Sequence, residues 1–579
     1  MFRENREHLQ WPLFSSIDAL PPKLQVRLEE SWASTFYHEF FYRIDERAFA
    51  VLYATVDSRP NIPVNVLVGL ETLKAGFGWS DQEAYDHFCY DIQVRYALGY
   101  RDLGSGHFEL RTLYNFRARL TQYMQETGEN PLEQAFRSVT DAQMAAFNLR
   151  TDKLRMDSTF VASNIRETTR LQLLVEVLQR TERMLDETDR ERYQADFAPY
   201  TAGSSGQYVY RLKRPDYDEH LQRIGELMQH LVTALAPKYA AEPAYQILAR
   251  VFAEHYHVVE SCAQAKASAE LSTASLQSPD DWEATYRRKR GQGHRGYITN
   301  ITETCNPAND FQLIVAVQTE ANNTDDAVML ETVLPELAER TAVTELYTDG
   351  GYNGPDVDQA LQDQKVVLVQ SSIRGRSPSE EKLGLEDFQW ETDPKSGLAV
   401  AVTCPHQQHA VVTAGRKDGR YRAAFDAEVC AGCPHREQCP THCLTSRPER
   451  ALRFSQQDVN VALRRQRSID ERNSEHHLRP AVEATVRAVK HPFRHGKVPV
   501  RGNPRVSMLM LGSALMYNVR QIHRYQRSQE ADPGIESGSE APQERSVMQL
   551  GFAFLRAFQS WLSNILPPVQ FRPSAWASA

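Results

Sequence analysis

The chain has 579 residues, of which 41% are hydrophobic and 24% are charged, and its formal net charge is −9. These values describe an ordinary water-soluble protein with room for several domains. No uncharged apolar run reaches the roughly 18 residues expected of a membrane helix, and the first ten residues lack the apolar core of a signal peptide. We therefore expect a cytoplasmic protein with no membrane contact.

Residues 1–150 are predicted to be helical. Apolar residues recur at helical spacing over 61–100, and Ser80-Asp81-Gln82-Glu83 has the capping-box pattern that begins a helix. Several short helices of this kind are typical of a helix-turn-helix DNA-binding domain or of a small helical bundle. Periodicity does not distinguish between the two.

An α/β region is predicted over residues 151–165 and 276–400. The segment 153–159, which contains Asp157, alternates polar and apolar residues as a short strand does. Another predicted strand ends at Asp349, directly before two glycines that indicate a turn. The further strands are predicted at 296–303, 311–319, 345–349 and 366–371. Short strands with a crossover helix favour a mixed α/β sheet.

Residues 166–275, between the two parts of this region, are predicted to form a helical insertion. A basic cluster follows the insertion, directly before the strand at 296–303. Its members are Arg287, Arg288, Lys289 and Arg290. We expect this cluster to contact DNA, because clustered cations attract the phosphate backbone.

Five of the eight cysteines fall within forty residues, in a segment predicted over 401–445. Four of them have the spacing Cys-x2-Cys-x5-Cys-x3-Cys, from Cys430 to Cys443, and Cys404 precedes them. In a cytosolic protein such spacing favours structural zinc over disulfides. The alternative is a set of reduced cysteines with no metal.

Residues 446–527 contain 17 Lys and Arg against 6 Asp and Glu, a local charge of +11. This segment is either a DNA-facing surface or a solvated helix surface. Within it, one predicted helical face carries a single acid, Glu483, among four basic residues at offsets of −7, −4, +4 and +7. These are His476, Arg479, Arg487 and Lys490. A metal-bound carboxylate beside phosphate-binding groups has this pattern.

Two aspartates at strand ends and a glutamate on a later helix are suited to phosphodiester chemistry. Two Mg²⁺ ions activate the attacking oxygen, stabilise the leaving oxygen and neutralise charge on phosphorus. Mg²⁺ prefers oxygen ligands and keeps several waters. We expect Asp157 to bridge both ions, with Asp349 on one and Glu483 on the other, and we expect Mn²⁺ to be able to replace Mg²⁺.

The motifs resemble those of insertion-sequence DDE transposases. Met-Asp-Ser-Thr around Asp157 and Thr-Asp-Gly-Gly-Tyr around Asp349 resemble the sequences at the first two catalytic acids of that family. Arg479-x3-Glu483-x6-Lys490 resembles the signature at the third. That signature has a Tyr where this chain has His476, which puts the Tyr-dependent part of the signature in doubt.

The resemblance implies an RNase H-like catalytic core, an N-terminal domain that binds DNA ends, and a cysteine-bearing insertion. It implies Cys404, Cys430, Cys433 and Cys439 as the zinc ligands, while Cys443, His435 and His442 remain alternatives. The basic residues of the glutamate helix would bind the DNA backbone. The protein would act at the nucleoid, as a homodimer or higher oligomer on double-stranded DNA.

The predicted function is that of a transposase, which binds terminal inverted repeats, cleaves a strand at each end and joins the freed 3′-OH to target DNA. Two alternatives are a non-cutting DNA-binding regulator and a metal-dependent nuclease without strand transfer. Residues 528–545 are acidic and rich in Pro, Gly and Ser, which predicts a disordered linker. Residues 546–579 are predicted to form an amphipathic tail.

Overall fold

The computed structural model describes residues 1–10, 15–54, 60–373, 381–393, 396–444, 447–473 and 477–531. Met1–Tyr525 form one compact unit, and Gln526–Ala579 are a second unit. His476, all of the predicted tail and all but the first four residues of the predicted linker lie outside the described residues. None of the described helices is both long and apolar enough to cross a membrane.

The N-terminal part is helical, as predicted. Ser80 begins one helix with the expected capping box, since its hydroxyl accepts from the Glu83 amide while the Glu83 side chain accepts from the Ser80 amide. The helices are α1 (Pro22–Glu29), α2 (Trp32–Glu39), α3 (Val64–Phe77), α4 (Asp81–Tyr90), α5 (Ile92–Ala97), α6 (Leu110–Thr127) and α7 (Pro131–Ala146). Helix α3 is buried nearly all round and so lies at the centre of this part.

Strand β1 (Lys153–Val161) confirms the first predicted strand, and a helical insertion follows it. The insertion has a hydrophobic core of its own, which includes Leu174, Met228 and Leu248. Its elements are α8 (Arg170–Met184), α9 (Glu187–Arg192), α10 (Gln194–Thr201), α11 (Ser205–Tyr210), α12 (Tyr217–Tyr239), α13 (Pro243–His255), β2 (Tyr256–Val259) and β3 (Cys262–Ala265). Strands β2 and β3 form a hairpin that the sequence did not predict.

The chain then completes a mixed sheet around β1. Its elements are β4 (Thr285–Lys289), β5 (Gln292–Thr304), β6 (Ile314–Ala321), α14 (Asp326–Arg340), β7 (Glu345–Thr348), α15 (Pro355–Gln364) and β8 (Val367–Gln370). The strand order is β4-β5-β1-β7-β8, and β6 also pairs with β5. Strand β1 is antiparallel to β5 and parallel to β7, and β7 is parallel to β8.

The cysteine segment belongs to a second, antiparallel sheet with the order β13-β14-β12-β11-β10-β9. Its elements are β9 (Gln389–Thr392), β10 (Ala399–Thr403), β11 (His409–Ala414), β12 (Arg420–Asp426), α16 (Ala427–Ala431), β13 (His442–Cys443) and β14 (Glu449–Ser455). Phe388, Phe425 and Phe454 form much of its core.

Three helices complete the described chain: α17 (Gln456–Asn473), α18 (Ala481–Lys490) and α19 (Asn503–Ala531). Helix α18 carries Glu483 and packs on β1 through a buried apolar face that includes Val482 and Val489. The remaining short helices are 3-10 turns at Glu7–Leu9, Phe41–Arg43, Glu46–Leu52, Arg214–Asp216, Ser268–Glu270, Leu385–Asp387 and Arg494–Gly496.

Candidate active site

Asp157 lies on β1, and Asp349 directly follows β7, the parallel neighbour of β1. In the register of β1 and β7, Lys153 pairs with Glu345 and Arg155 pairs with Tyr347. The pairing of the two strands ends there, but Asp349 is close enough to Asp157 for its charge to raise the pKa of the Asp157 carboxyl. The Gly351 amide donates to the Asp349 carboxylate at 2.7 Å, so the glycine turn holds this side chain at the strand end.

Arg479 joins the glutamate of α18 to the aspartate of β1. Its Nη1 donates to Glu483 Oε1 at 2.6 Å, and its Nη2 lies 3.2 Å from Asp157 Oδ1. The Arg479 side chain is 13% exposed and that of Asp157 is 15% exposed, whereas Glu483 is more open. One guanidinium therefore bridges two of the three predicted acids.

Asp349 and Glu483 influence the ionisation of Asp157, and all three acids influence that of Arg479. Burial is the largest cause that raises the pKa of the Asp157 carboxyl. With the lowering by Arg479 and by the Ser158 amide and the further raising by Asp349 and Glu483, that pKa is about 6. Burial lowers the pKa of Arg479, but Asp157, Glu483 and Asp349 outweigh it, and the net direction is upward. The acids repel one another, and a cation between them relieves that repulsion.

This donor set suits a hard divalent cation in its chemistry, because Mg²⁺ prefers carboxylate oxygens. Among the described residues, however, no group of three or more His, Cys, Asp or Glu side chains lies in an arrangement that could hold a metal ion. The cation that neutralises Asp157 and Glu483 here is the guanidinium of Arg479.

Lys490 and Arg487, the two basic residues of α18, have different surroundings. Lys490 is half-buried, and its ammonium donates to Thr159 Oγ1 at 3.0 Å and to the Phe160 carbonyl at 2.7 Å. Burial also lowers its pKa. Arg487 is exposed. Lys490 therefore tethers α18 to β1, while Arg487 faces solvent.

The basic cluster at 287–290 precedes β5, as predicted, and itself forms the end of β4 and the turn into β5. Arg287 is held within the protein, since it donates to the Thr324 carbonyl at 2.9 Å and pairs with Asp325. Lys289 is exposed, with its ammonium 5.4 Å from the centre of the Phe160 ring. Arg288 and Arg290 are exposed on this hairpin.

The predicted zinc ligands are only partly brought together. Cys404, Cys430 and Cys439 pack against the same hydrophobic core, and the first and last of these influence the pKa of Cys430. Burial raises the pKa of the Cys430 thiol, which opposes the thiolate form that zinc binds. Because the described residues form no group of three metal ligands, this segment does not fit zinc in its present geometry. The structure therefore does not support the zinc prediction.

Several residues of the site were missed by sequence reasoning. Arg155 and Thr159 alternate with Asp157 on β1, and all three contact the segment that carries Glu483. Their period of two in the sequence predicts the strand but not these contacts. Glu303 and Thr485, which form a buried hydrogen bond, had no local signal.

Comparison with known proteins gives one match. Residues 403–523 match the family model of a transposase DDE domain. The matched segment contains Glu483, Arg479 and the cysteine cluster, but it does not reach Asp157 or Asp349. No curated protein and no solved structure matches the chain significantly.

Proposed function

We propose that the chain, which the match over residues 403–523 supports as an insertion-sequence DDE transposase, cuts the ends of its element and joins them to target DNA. The observation that carries this proposal is that Arg479 pairs with both Asp157 and Glu483, which come from distant segments, while the charge of Asp349 also raises the pKa of Arg479. Such concentrated negative charge suits divalent cations, which in turn would attract phosphate.

Asp157, Asp349 and Glu483 would hold Mg²⁺ ions, with Mn²⁺ as a substitute. Bound ions supply the activation of water or of a 3′-OH and neutralise charge on the phosphate. The protein's own part is to hold the three carboxylates together on β1, β7 and α18. The order β6-β5-β1-β7-β8, with the last two strands parallel to β1, supports an RNase H-like core for this site.

Double-stranded DNA is the proposed substrate, bound at the inverted repeats by the helical N-terminal part. Exposed Arg487, Arg288, Lys289 and Arg290 support a phosphate-binding surface. Arg479 and Lys490 have internal partners in this DNA-free structure. Their proposed contact with phosphate would therefore require them to exchange those partners for DNA. We further propose that two or more copies act together, because both ends must be cut.

The proposal is tested by mixing the purified chain with DNA that carries the element end and Mg²⁺. We expect strand cleavage at the end, followed by joining to a target plasmid. Asp349→Asn should lose both steps and keep DNA binding, since the acids hold metal and the basic residues supply the affinity for DNA. Cleavage without joining would favour the nuclease. Binding without cleavage would favour the regulator.

A further inference from the structure

Three alternate residues of β1 hold the segment that carries Glu483. Arg155, Asp157 and Thr159 lie on one face of the strand, because side chains alternate between faces. Arg155 donates to the Leu478 carbonyl at 2.9 Å, Asp157 pairs with Arg479, and Thr159 accepts from Lys490. The segment is thus attached to β1 on both sides of Glu483, through Leu478 and Arg479 before it and through Lys490 after it.

A buried carboxylate organises the first of these attachments. Glu303 of β5 lies opposite Arg155 in the antiparallel register of β5 and β1. Its side chain is 0% exposed, and it accepts from Arg155 Nε at 2.7 Å. It also accepts from the Thr485 hydroxyl, whose oxygen lies 2.8 and 2.9 Å from its two oxygens. One residue therefore holds both the strand and the helix.

The hydrogen bonds around Glu303 have a defined direction. Gln521 of α19 donates to the Tyr517 hydroxyl at 2.7 Å. That hydroxyl lies 3.1 Å from the Thr485 hydroxyl. Because Thr485 has one proton, which it gives to the carboxylate, Tyr517 is the donor to Thr485. The chain of donors ends on Glu303 and crosses from α19 through α18 to the sheet.

Such a network is an inefficient source of stability. A buried ion pair costs much of its attraction in lost hydration, and apolar residues of equal volume often stabilise a fold as well. The network instead fixes the orientation of α18, because a hydrogen bond fixes the rotation of a helix more closely than apolar contact does. Thr485 is two residues from Glu483, so its bond to Glu303 sets where Glu483 faces.

We propose that Glu303 is a positioning residue for Glu483, acting through Thr485 and through the Arg155 contact with Leu478. This inference rests on the proposed function, in which Glu483 binds metal. In this role, the fully buried Glu303 of β5 orients the Glu483 carboxylate toward Asp157 and Asp349.

The test measures Mn²⁺ binding to the full DNA-free chain by electron paramagnetic resonance. Thr485→Val, which keeps the shape and removes the hydroxyl, should weaken Mn²⁺ binding about tenfold, as loss of a supporting hydrogen bond does elsewhere. Thr485→Ser should restore the affinity to within about twofold of wild type, since the donor is retained. A matched control is Thr181→Val, which removes another fully buried hydroxyl, in α8 of the insertion. It should leave the affinity unchanged.

Glu483→Gln distinguishes a failure of the proposed metal binding by Glu483 from a failure of the positioning role of Glu303. If Glu483→Gln binds Mn²⁺ as wild type does, Glu483 is not a ligand and that part of the proposed function fails. If Glu483→Gln weakens binding but Thr485→Val does not, the positioning role of Glu303 is rejected. Should Thr485→Val not fold, Tyr517→Phe decides instead. It removes the donor to Thr485 and should weaken binding about threefold, while an unchanged affinity would overturn the inference.

Discussion

The carboxylate site and the cysteine segment were both predicted as metal sites, and they differ in how their charge is balanced. In the first, Asp157 and Glu483 both pair with the guanidinium of Arg479, and the charge of Asp349 raises the pKa of Asp157. In the second, burial favours the neutral thiol of Cys430. Spacing in the sequence predicted both clusters, but among the described residues the carboxylates are the ones that form ion pairs with a guanidinium. Compensation of charge, more than ligand spacing, therefore distinguishes the two regions.

The largest expected effect tests this difference directly. Asp157→Asn should remove detectable Mn²⁺ binding and abolish Mg²⁺-dependent cleavage, because the charge that pairs with Arg479 on β1 is lost. Cys430→Ser should leave Mn²⁺ binding unchanged. Titration of both purified variants with Mn²⁺, followed by paramagnetic resonance, checks both expectations. Equal loss in the two variants would mean that the cysteine segment supports the same metal site.

Arg479 gives the next largest effect, because its guanidinium neutralises the charge that a metal ion would neutralise. Arg479→Ala should tighten Mn²⁺ binding to the DNA-free protein at pH 8 by between about tenfold and a hundredfold, since a hydrogen bond to a charged group contributes roughly 1.5–3 kcal/mol. Arg487→Ala, which replaces an exposed arginine of α18, is the matched control and should have no effect. Weaker binding in Arg479→Ala would show that the guanidinium assists the metal ion instead of competing with it.

Much of this site could be predicted from the sequence. The strands of Asp157 and Asp349 follow from local alternation and from the glycines after Asp349, and both are confirmed as β1 and β7. Glu483 stands on a predicted helix that is confirmed as α18 from Ala481 to Lys490, whereas Arg479, predicted on the same helix, precedes it. These features depend only on neighbours in the chain, which the sequence displays.

The partners of the basic residues could not be predicted in the same way. Helical spacing put Arg479 and Lys490 on the face of Glu483, but spacing does not say whether a cation faces DNA or a neighbouring strand. Glu303 was expected only as the end of a strand, because its partners Arg155 and Thr485 lie 148 and 182 residues away. Contacts at such separations depend on the sheet register, which a single sequence does not contain.

A pH titration of metal binding should show a smaller effect. With a pKa of about 6 in the metal-free protein, Asp157 is mostly protonated at pH 5 and mostly ionised at pH 7. Mn²⁺ affinity should therefore rise about tenfold between these values, since the ligand must be deprotonated. Isothermal titration at each pH measures this. A flat profile would contradict the raised pKa.

The same shift has a consequence for stability. The folded pKa of Asp157 lies above its ordinary value of 3.8, so the folded chain binds the proton more tightly than the unfolded chain. The free energy of unfolding of the metal-free protein should then fall as pH rises from about 4 to about 6. Asp157→Asn should lack this component, which chemical denaturation at several pH values would reveal.

The smallest expected effect concerns the basic hairpin of β4 and β5. Arg288 and Arg290 are exposed, whereas Arg287 is held by Thr324 and Asp325. Arg288→Ala and Arg290→Ala should each lower the salt dependence of DNA binding by about one unit, because each neutralised phosphate contributes roughly 0.9 to that slope. Arg287→Ala should change the slope less.

Arg214→Ala, an exposed arginine of the helical insertion, is the control and should leave the slope as it is. Binding of element-end DNA, measured by fluorescence anisotropy over a range of salt concentrations, provides the slopes. If Arg214→Ala lowers the slope as much as Arg288→Ala does, DNA binding does not depend specifically on the hairpin of β4 and β5. In that case, the exposed basic residues of β4 would be a solvated surface, and the DNA path would have to follow other cations, such as Arg487 on the glutamate helix.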